Sequence, residues 1–420
     1  MWQKAILIFK DPDIRRKFLY LFGLLAVFRL AASVPVLGMN RQLFENYFNS
    51  NELLGLLNIF SGGALDNLSI VMLGLSPYIT ASIIMQLLTM IFPSLKEMYQ
   101  EEGEAGRRKF NQYSRLLTVP LAFIQGFGLL TLLSRQGVVQ FGWFEMTANM
   151  IIVAAGAVFL MWIGELISEY GIGNGASIMI FAGIVAGLPL GVQQMLATFT
   201  ADQVPQVLAF VAISVITVLS VVVISEGERP IPIYYAKRIR GSRMYGGSST
   251  NLPLRVNQAG VIPIIFAISI LLFPQMIAGF FTAAQNSVVR GIALLVSDFL
   301  ANNWLYGGAY FFLVFIFTYF YTAITFDPQA ISQNLQRSGA FVPGIRPGTP
   351  TANFLAHIVN RITLVGGLFL ACIAVLPIIV QGATGITSFR IGGTAILIVV
   401  SVVIETAKQV QAQLSLRSYE

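Results

Sequence analysis

The chain has 420 residues, 56% of them apolar and 11% charged, with a mean hydropathy of +0.74 and a formal net charge of +7. An average soluble domain carries roughly 25% charged residues, so a water-soluble globule is excluded; lipid, by contrast, can solvate this much apolar side chain. The single cysteine, Cys372, excludes a disulfide within the chain and any cysteine-based metal site.

Residues 1–17 form a basic N-terminal segment with Lys4, Lys10, Arg15, Arg16 and Lys17. The apolar run from Phe18 to Phe28 superficially fits a secretory signal, but it resumes after Arg29 and continues to Leu37, which predicts an uncleaved first span. Crossing the hydrocarbon takes about 20 residues of helix. The predicted spans are 18–37, 70–92, 114–134, 147–167, 176–197, 205–225, 257–276, 305–326, 362–380 and 391–407. An even count places both termini on one side.

Lysine and arginine decide which side. The second-to-third loop holds Lys96, Arg107, Arg108, Lys109 and Arg115. The sixth-to-seventh holds Arg229, Lys237, Arg238, Arg240, Arg243 and Arg255, and the eighth-to-ninth holds Arg337, Arg346 and Arg361. The tail, 408–420, adds Lys408 and Arg417. The opposite loops contain only Arg41, Arg135, Arg290 and Arg390. All basic segments therefore fall on one face, predicted to be cytoplasmic, and removing any span would scramble the alternation. The polybasic loops also suit anionic lipid. Five spans in 18–200 and five in 205–407 give halves of opposite orientation, the arrangement of an inverted repeat with a path between the halves.

Three segments interrupt the spans. Leu53 to Phe60 would make a helix only about 12 Å long, too short to cross; Ser61-Gly62-Gly63 breaks it and Asp66-Asn67 can cap the next turn. This stub either folds back into protein or lies on the outer surface. In the loop 226–256, Ile233 to Arg238 and Arg243 to Tyr245 flank Gly241-Ser242, predicting a β-hairpin with a basic tip. In the loop 327–361, Asp327-Pro328 starts a short helix that Gly339 ends, and Pro343-Gly344-Ile345-Arg346-Pro347-Gly348 holds Arg346 on a stiff turn. Two structured basic loops on one face suggest a docking surface.

Chemistry is sparse. His357 is the sole histidine, and no phosphate loop or metal-protease signature occurs. Glu165 and Glu405 sit near cytoplasmic span ends, so the midplane carboxylates of an ion-coupled carrier are missing, as is a nucleophile–base pair for an intramembrane enzyme. Arg29 is the exception: within a span arginine costs about 2.5–3.5 kcal/mol, which snorkelling to the outer interface or pairing inside the bundle would relieve.

Several stretches taken together resemble the SecY family of protein-translocase channels along almost the whole chain. They are Ser76-Pro77-Tyr78-Ile79, Glu102-Gly103-Glu104, Gly106-Arg107-Arg108, Gly171-Ile172-Gly173-Asn174-Gly175, Phe181 to Pro189, Asn257 to Pro263 and Ser338 to Gly348. The resemblance implies an all-α polytopic membrane protein of the cell inner membrane, with ten transmembrane helices in two inverted five-helix halves around a central hourglass pore. It implies a pore ring at Ile79, Ile83, Ile180, Ile184, Ile265 and Ile398; the pairs Ile79/Ile83 and Ile180/Ile184 are each four apart and share a helix face. A narrow apolar waist sheds water and blocks ions while letting an unfolded chain slide through.

The same resemblance assigns the stub Leu57, Asn58, Ile59, Phe60, Ser61, Gly62, Gly63, Ala64, Leu65, Asp66, Asn67 and Leu68 to a plug. It makes the second and seventh spans a lateral gate with polar positions Gln86 and Asn257, where a buried amide pair would contribute about 0.6–2 kcal/mol. Lys237, Arg238, Arg240, Arg243 and Arg346 become the docking residues for the motor ATPase SecA or a ribosome. Companion subunits SecE and SecG, signal peptides and unfolded preproteins complete the implied partners. No cofactor, metal or catalytic residue is implied.

Overall fold

A computed structural model describes residues 11–36, 58, 61–100, 102–135, 137, 139, 141–197, 204–235, 238–240, 243–245, 249–281, 286–384 and 392–417. Each of the ten predicted spans coincides with a helix: α1 (Pro12–Ser33), α2 (Ser76–Ile91), α4 (Gly103–Arg135), α5 (Trp143–Tyr170), α6 (Gly175–Ala197), α7 (Val204–Glu226), α8 (Ile262–Phe281), α10 (Asn303–Thr325), α12 (Thr349–Thr384) and α13 (Gly392–Arg417). Three further helices, α3 (Pro93–Gln100), α9 (Ser287–Ala301) and α11 (Pro328–Arg337), lie between them. Among the described residues α4, α5, α7, α10, α12 and α13 are by themselves long and apolar enough to cross a membrane. The helix α2 reaches that length only together with α3, across a bend of 113° at Phe92-Pro93, where proline cannot continue the hydrogen-bond ladder.

Several helices overrun or fall short of the predicted spans, α4 and α12 beginning 11 and 13 residues earlier, and two of the differing limits flank residues 61–68. The helix α1 begins at Pro12, capped by the Asp11 carboxylate, so Arg15, Arg16 and Lys17 of the basic segment lie in its first turns. It ends at Ser33, and Val34 to Val36 are extended: Val36 N–H donates to the Leu68 carbonyl (2.8 Å) and Ile70 N–H to Val34 (2.9 Å). Span two becomes helical only at Ser76. Residues 70–75 form successive turns packed inside the bundle, where irregular backbone at membrane depth is tolerated.

Helix contacts follow the predicted repeat. In the first half α2 packs on α4, α4 on α5, α5 on α6, α2 on α5 and α1 on α5; the corresponding pairs of the second half, α8–α10, α10–α12, α12–α13, α8–α12 and α7–α12, pack likewise. The halves meet where α8 lies against α2 and α4, and again where α6 lies against α13. One apolar cluster runs through both halves. The Gly171–Gly175 stretch is the α5–α6 corner. Asn174 Oδ1 accepts from Ser177 N–H, and the Gly175 Cα presses on the Gly164 carbonyl so closely that an added methyl would lie 1.8 Å from it.

The basic face carries the only strands among the described residues. β1 (Glu228–Tyr235) pairs antiparallel with β4 (Ser249–Arg255), from Glu228↔Arg255 to Tyr234↔Ser249. β2 (Arg238–Arg240) pairs with β3 (Arg243–Tyr245) as a hairpin, but of its predicted first arm, Ile233 to Arg238, only Arg238 takes part, since Ile233 to Tyr235 belong to β1. The sequence had not indicated β5 (Ala340–Phe341), which joins the far edge of β1 and so binds the two long loops into one sheet. Ile231 and Leu254 from that sheet pack with Val342, Leu355, Ile358 and Val359 into a second, smaller apolar core. With 36 residues, α12 is about 54 Å long, so its N-terminal turns stand clear of the membrane and carry this platform.

Candidate functional site

The site is built where the plug segment meets α1 and α6. Leu57, Ile59 and Phe60 lie outside the described residues; Asn58 and Ser61 to Leu68 form a compact knot. Asn58 holds it: its Nδ2 donates to Asp66 Oδ2 (2.7 Å), its Oδ1 accepts from Asp66 N–H (3.2 Å) and its carbonyl accepts from Gly63 N–H (2.9 Å). Ser61 Oγ accepts from Leu65 N–H (3.0 Å). Burial pushes the Asp66 carboxyl above the usual carboxylate range, against the opposing pull of the Asn58 amide and the Arg29 charge. Ala64, Leu65 and Leu68 are buried in the cluster common to both halves. Residues 61–68 thus fold back into protein, whereas the apolar stub Leu53 to Phe60 lies, apart from Asn58, outside the described residues.

All six ring candidates, Ile79, Ile83, Ile180, Ile184, Ile265 and Ile398, are buried in that same cluster. They come from α2, α6, α8 and α13, the helices through which the halves touch. The plug reaches α6 beside them. A methyl added at Gly183 would lie 2.0 Å from the Gly62 Cα, and one added at Gly62 would lie 2.6 Å from Phe28 Cζ. Gly62 also has φ +67°, a backbone conformation that side chains disfavour. Gly183 immediately precedes Ile184, so the backbone at Gly62 rests on the helix that supplies two of the ring candidates.

Arg29 pairs inside the bundle. While keeping an exposed surface, it extends Nη1 to the Gly62 carbonyl (3.2 Å), and a turn further along α1 the Ala32 carbonyl accepts from Asn67 Nδ2 (3.4 Å). Phe28, Arg29 and Gly183 are thus plug contacts that the sequence reading missed. The intramembrane arginine was the available signal; nothing in the sequence named its acceptor.

The gate amides are not bonded to each other. Asn257 closes its own turn, with Oδ1 accepting from Gly260 N–H (2.9 Å) and Nδ2 donating to the Gly260 carbonyl (3.3 Å). Gln86 is half-buried on α2, and its Oε1 has no hydrogen-bond partner among the described residues. The expected amide pair is absent, although α2 and α8 do pack together.

On the basic face Arg238 and Arg240 lie on β2 and Arg243 on β3, while Lys237 falls outside the described residues. Arg346 is exposed on the turn between Gly344 and Gly348, both at positive φ, and its carbonyl accepts from Thr351 Oγ1 (2.8 Å). Its guanidinium makes no hydrogen bond or ion pair to the described residues.

A family model described as SecY matches residues 69–407. The protein translocase subunit SecY of Corynebacterium glutamicum is 42% identical to this chain, with 98% of each covered. Among solved structures, a protein-conducting channel superposes with a TM-score of 0.65 at 18% identity, covering 96% of this chain and 93% of that one. The Sec61 channel of a canine ribosome–channel complex from the endoplasmic reticulum gives 0.60 at 17% identity, covering 96% and 93%. A polytopic helical chain matched from Ser69 to Ala407 by that family model, and over nearly its whole length by a translocase subunit, belongs to the SecY family.

Proposed function

We propose that this chain is the protein-conducting channel of a translocase in the cell inner membrane. It passes unfolded secretory polypeptides across and releases membrane segments sideways between α2 and α8. The observation that supports this reading is that the six isoleucines, from both halves, share one buried cluster with Ala64, Leu65 and Leu68. Burying a leucine contributes roughly 1.5–3 kcal/mol, so Leu65 and Leu68 together hold the plug with a free energy comparable to the ~5.5 kcal/mol that inverts a two-state population. Such a plug stays shut at rest and yields to a bound signal peptide. At the gate, the unpaired Gln86 oxygen favours parting, because a separated helix pair lets water or substrate satisfy it.

The channel performs no chemical step, so direction comes from a partner. The sheet-braced platform with Arg238, Arg240, Arg243 and Arg346 suits SecA or a ribosome, SecE and SecG would brace the halves, and the basic loops would contact anionic lipid. The test is Ile79→Asn and Ile265→Asn in reconstituted channels. A polar waist wets more readily, so resting ion conductance should rise and substrates with defective signal sequences should be exported. Unchanged conductance together with unchanged substrate selection would remove these isoleucines from the waist.

Orientation is tested separately. An enzyme active only in the cytoplasm should work when inserted after Gly348 and fail when inserted after Asn286, given the lysine and arginine bias. Activity at both sites would break the ten-span reading.

A further inference from the structure

The helix α9 has no role in the path, the plug or the platform. It comes directly after α8, so it lies on the face opposite the basic loops, and it packs on α8 and α10. Its 15 residues make about 22 Å of helix, short of the ~30 Å hydrocarbon core.

At 100° per residue the helix has three faces. Ala293 and Leu300 are buried against the bundle, with Val296 beside them. A second face, Val288, Ile292, Leu295 and Phe299, is apolar yet 67%, 59%, 71% and 44% exposed. The third carries the helix's two charges, Arg290 and Asp298, both exposed, with Ser287 and Ser297; Leu294 is the one large apolar residue there.

Two observations identify what covers the apolar face. The helices that α9 packs on also expose apolar side chains, Ile277 and Phe281 of α8 and Leu305 of α10. In addition, Asn302 caps both helices, ending α9 and starting α10, and Trp304 follows at 74% exposure. Trp143, 92% exposed, opens α5 on the same face. Tryptophans at this position mark the headgroup level, which sets the C-terminal end of α9 at the membrane–water boundary.

We infer that α9 is an interfacial helix: it lies in the lipid surface of the face opposite the basic loops, with Val288, Ile292, Leu295 and Phe299 in the acyl boundary and Arg290 and Asp298 in water. The occupant of the apolar face is lipid.

The test uses the full chain with its companion subunits in phosphatidylcholine–phosphatidylglycerol vesicles, in a Cys372→Ser background. Nitroxide labels go on Ile292→Cys, Leu295→Cys, Phe299→Cys, Arg290→Cys and Asp298→Cys, and collision rates are read with oxygen, which concentrates in acyl chains, and with a water-soluble nickel chelate. Labels at 292, 295 and 299 should favour oxygen severalfold, and those at 290 and 298 should favour nickel. Nickel-dominated collisions at 292 and 295 would overturn the proposal by placing the helix in water. Suppression of both reagents there would overturn it in favour of a protein cover, whether a companion subunit or a second copy.

Discussion

Replacing Gly183 by alanine should unseat the plug without altering any plug residue. The added methyl would lie 2.0 Å from the Gly62 Cα and 2.5 Å from its carbonyl carbon, both backbone atoms that cannot rotate away. Gly62 cannot retreat easily either, because Phe28 sits behind it and Arg29 holds its carbonyl. Overpacking of this kind costs about 1–3 kcal/mol. The strain is relieved when the plug leaves, so the closed state alone bears it, and a ~2 kcal/mol penalty shifts the closed-to-open ratio about 30-fold. The expected readout is a resting ion leak and export of substrates with weak signal sequences, with assembly and thermal stability of the complex largely retained. Gly187→Ala is the matched control, one turn further along α6, where an added methyl meets nothing within 4 Å; it should leave the seal intact. If Gly183→Ala is as tight as Gly187→Ala, the plug does not bear on α6.

Arg346→Glu should abolish partner-driven transport and leave folding intact. The side chain is exposed and has no bond to the described residues, while the turn is held by other groups: Thr351 Oγ1 on the Arg346 carbonyl and Ser332 Oγ on the Gly348 carbonyl (2.6 Å). The platform beneath is fixed by its own apolar core. A guanidinium at a stiff tip can make paired hydrogen bonds to a partner carboxylate, and reversal puts like charges in contact. Where that contact is desolvated, the loss is about 2–5 kcal/mol, and a rim charge would lose far less. Motor affinity and channel-stimulated ATP hydrolysis should therefore fall by more than an order of magnitude, with the thermal midpoint unchanged. Arg243→Glu, on the neighbouring hairpin, should show a weaker defect. A drop in stability with normal coupling per folded channel would make Arg346 a scaffold residue.

Much of this was legible in the residues because it depends on local composition. Runs of apolar side chain long enough to cross hydrocarbon, and basic residues returning to one face, mark the spans whatever packs against them. The limits of spans one and two were less legible. Val34 to Val36 and residues 70–75 are apolar enough to be counted as span, yet Val34 to Val36 pair with residues 68–70 around the Pro35↔Ser69 bridge, and residues 71–75 are turns. The helix α9 escaped notice for a related reason: its apolar residues belong to two different faces, and the sequence does not say which meets protein.

The sequence by itself determined that the chain lives in lipid, crosses about ten times, keeps its basic loops on one face and carries no obvious catalytic constellation. These properties arise from how side chains partition between water and hydrocarbon, one segment at a time. Only the tertiary structure decided that Gly62 rests on Gly183, that Arg29 holds the plug carbonyl, that Asn257 closes its own turn instead of meeting Gln86, and that β5 joins the two basic loops into one platform. These are contacts between segments far apart in the chain. A glycine chosen for a close approach looks, in sequence, like any glycine in a span, and a carbonyl acceptor leaves no mark on the residue that bears it.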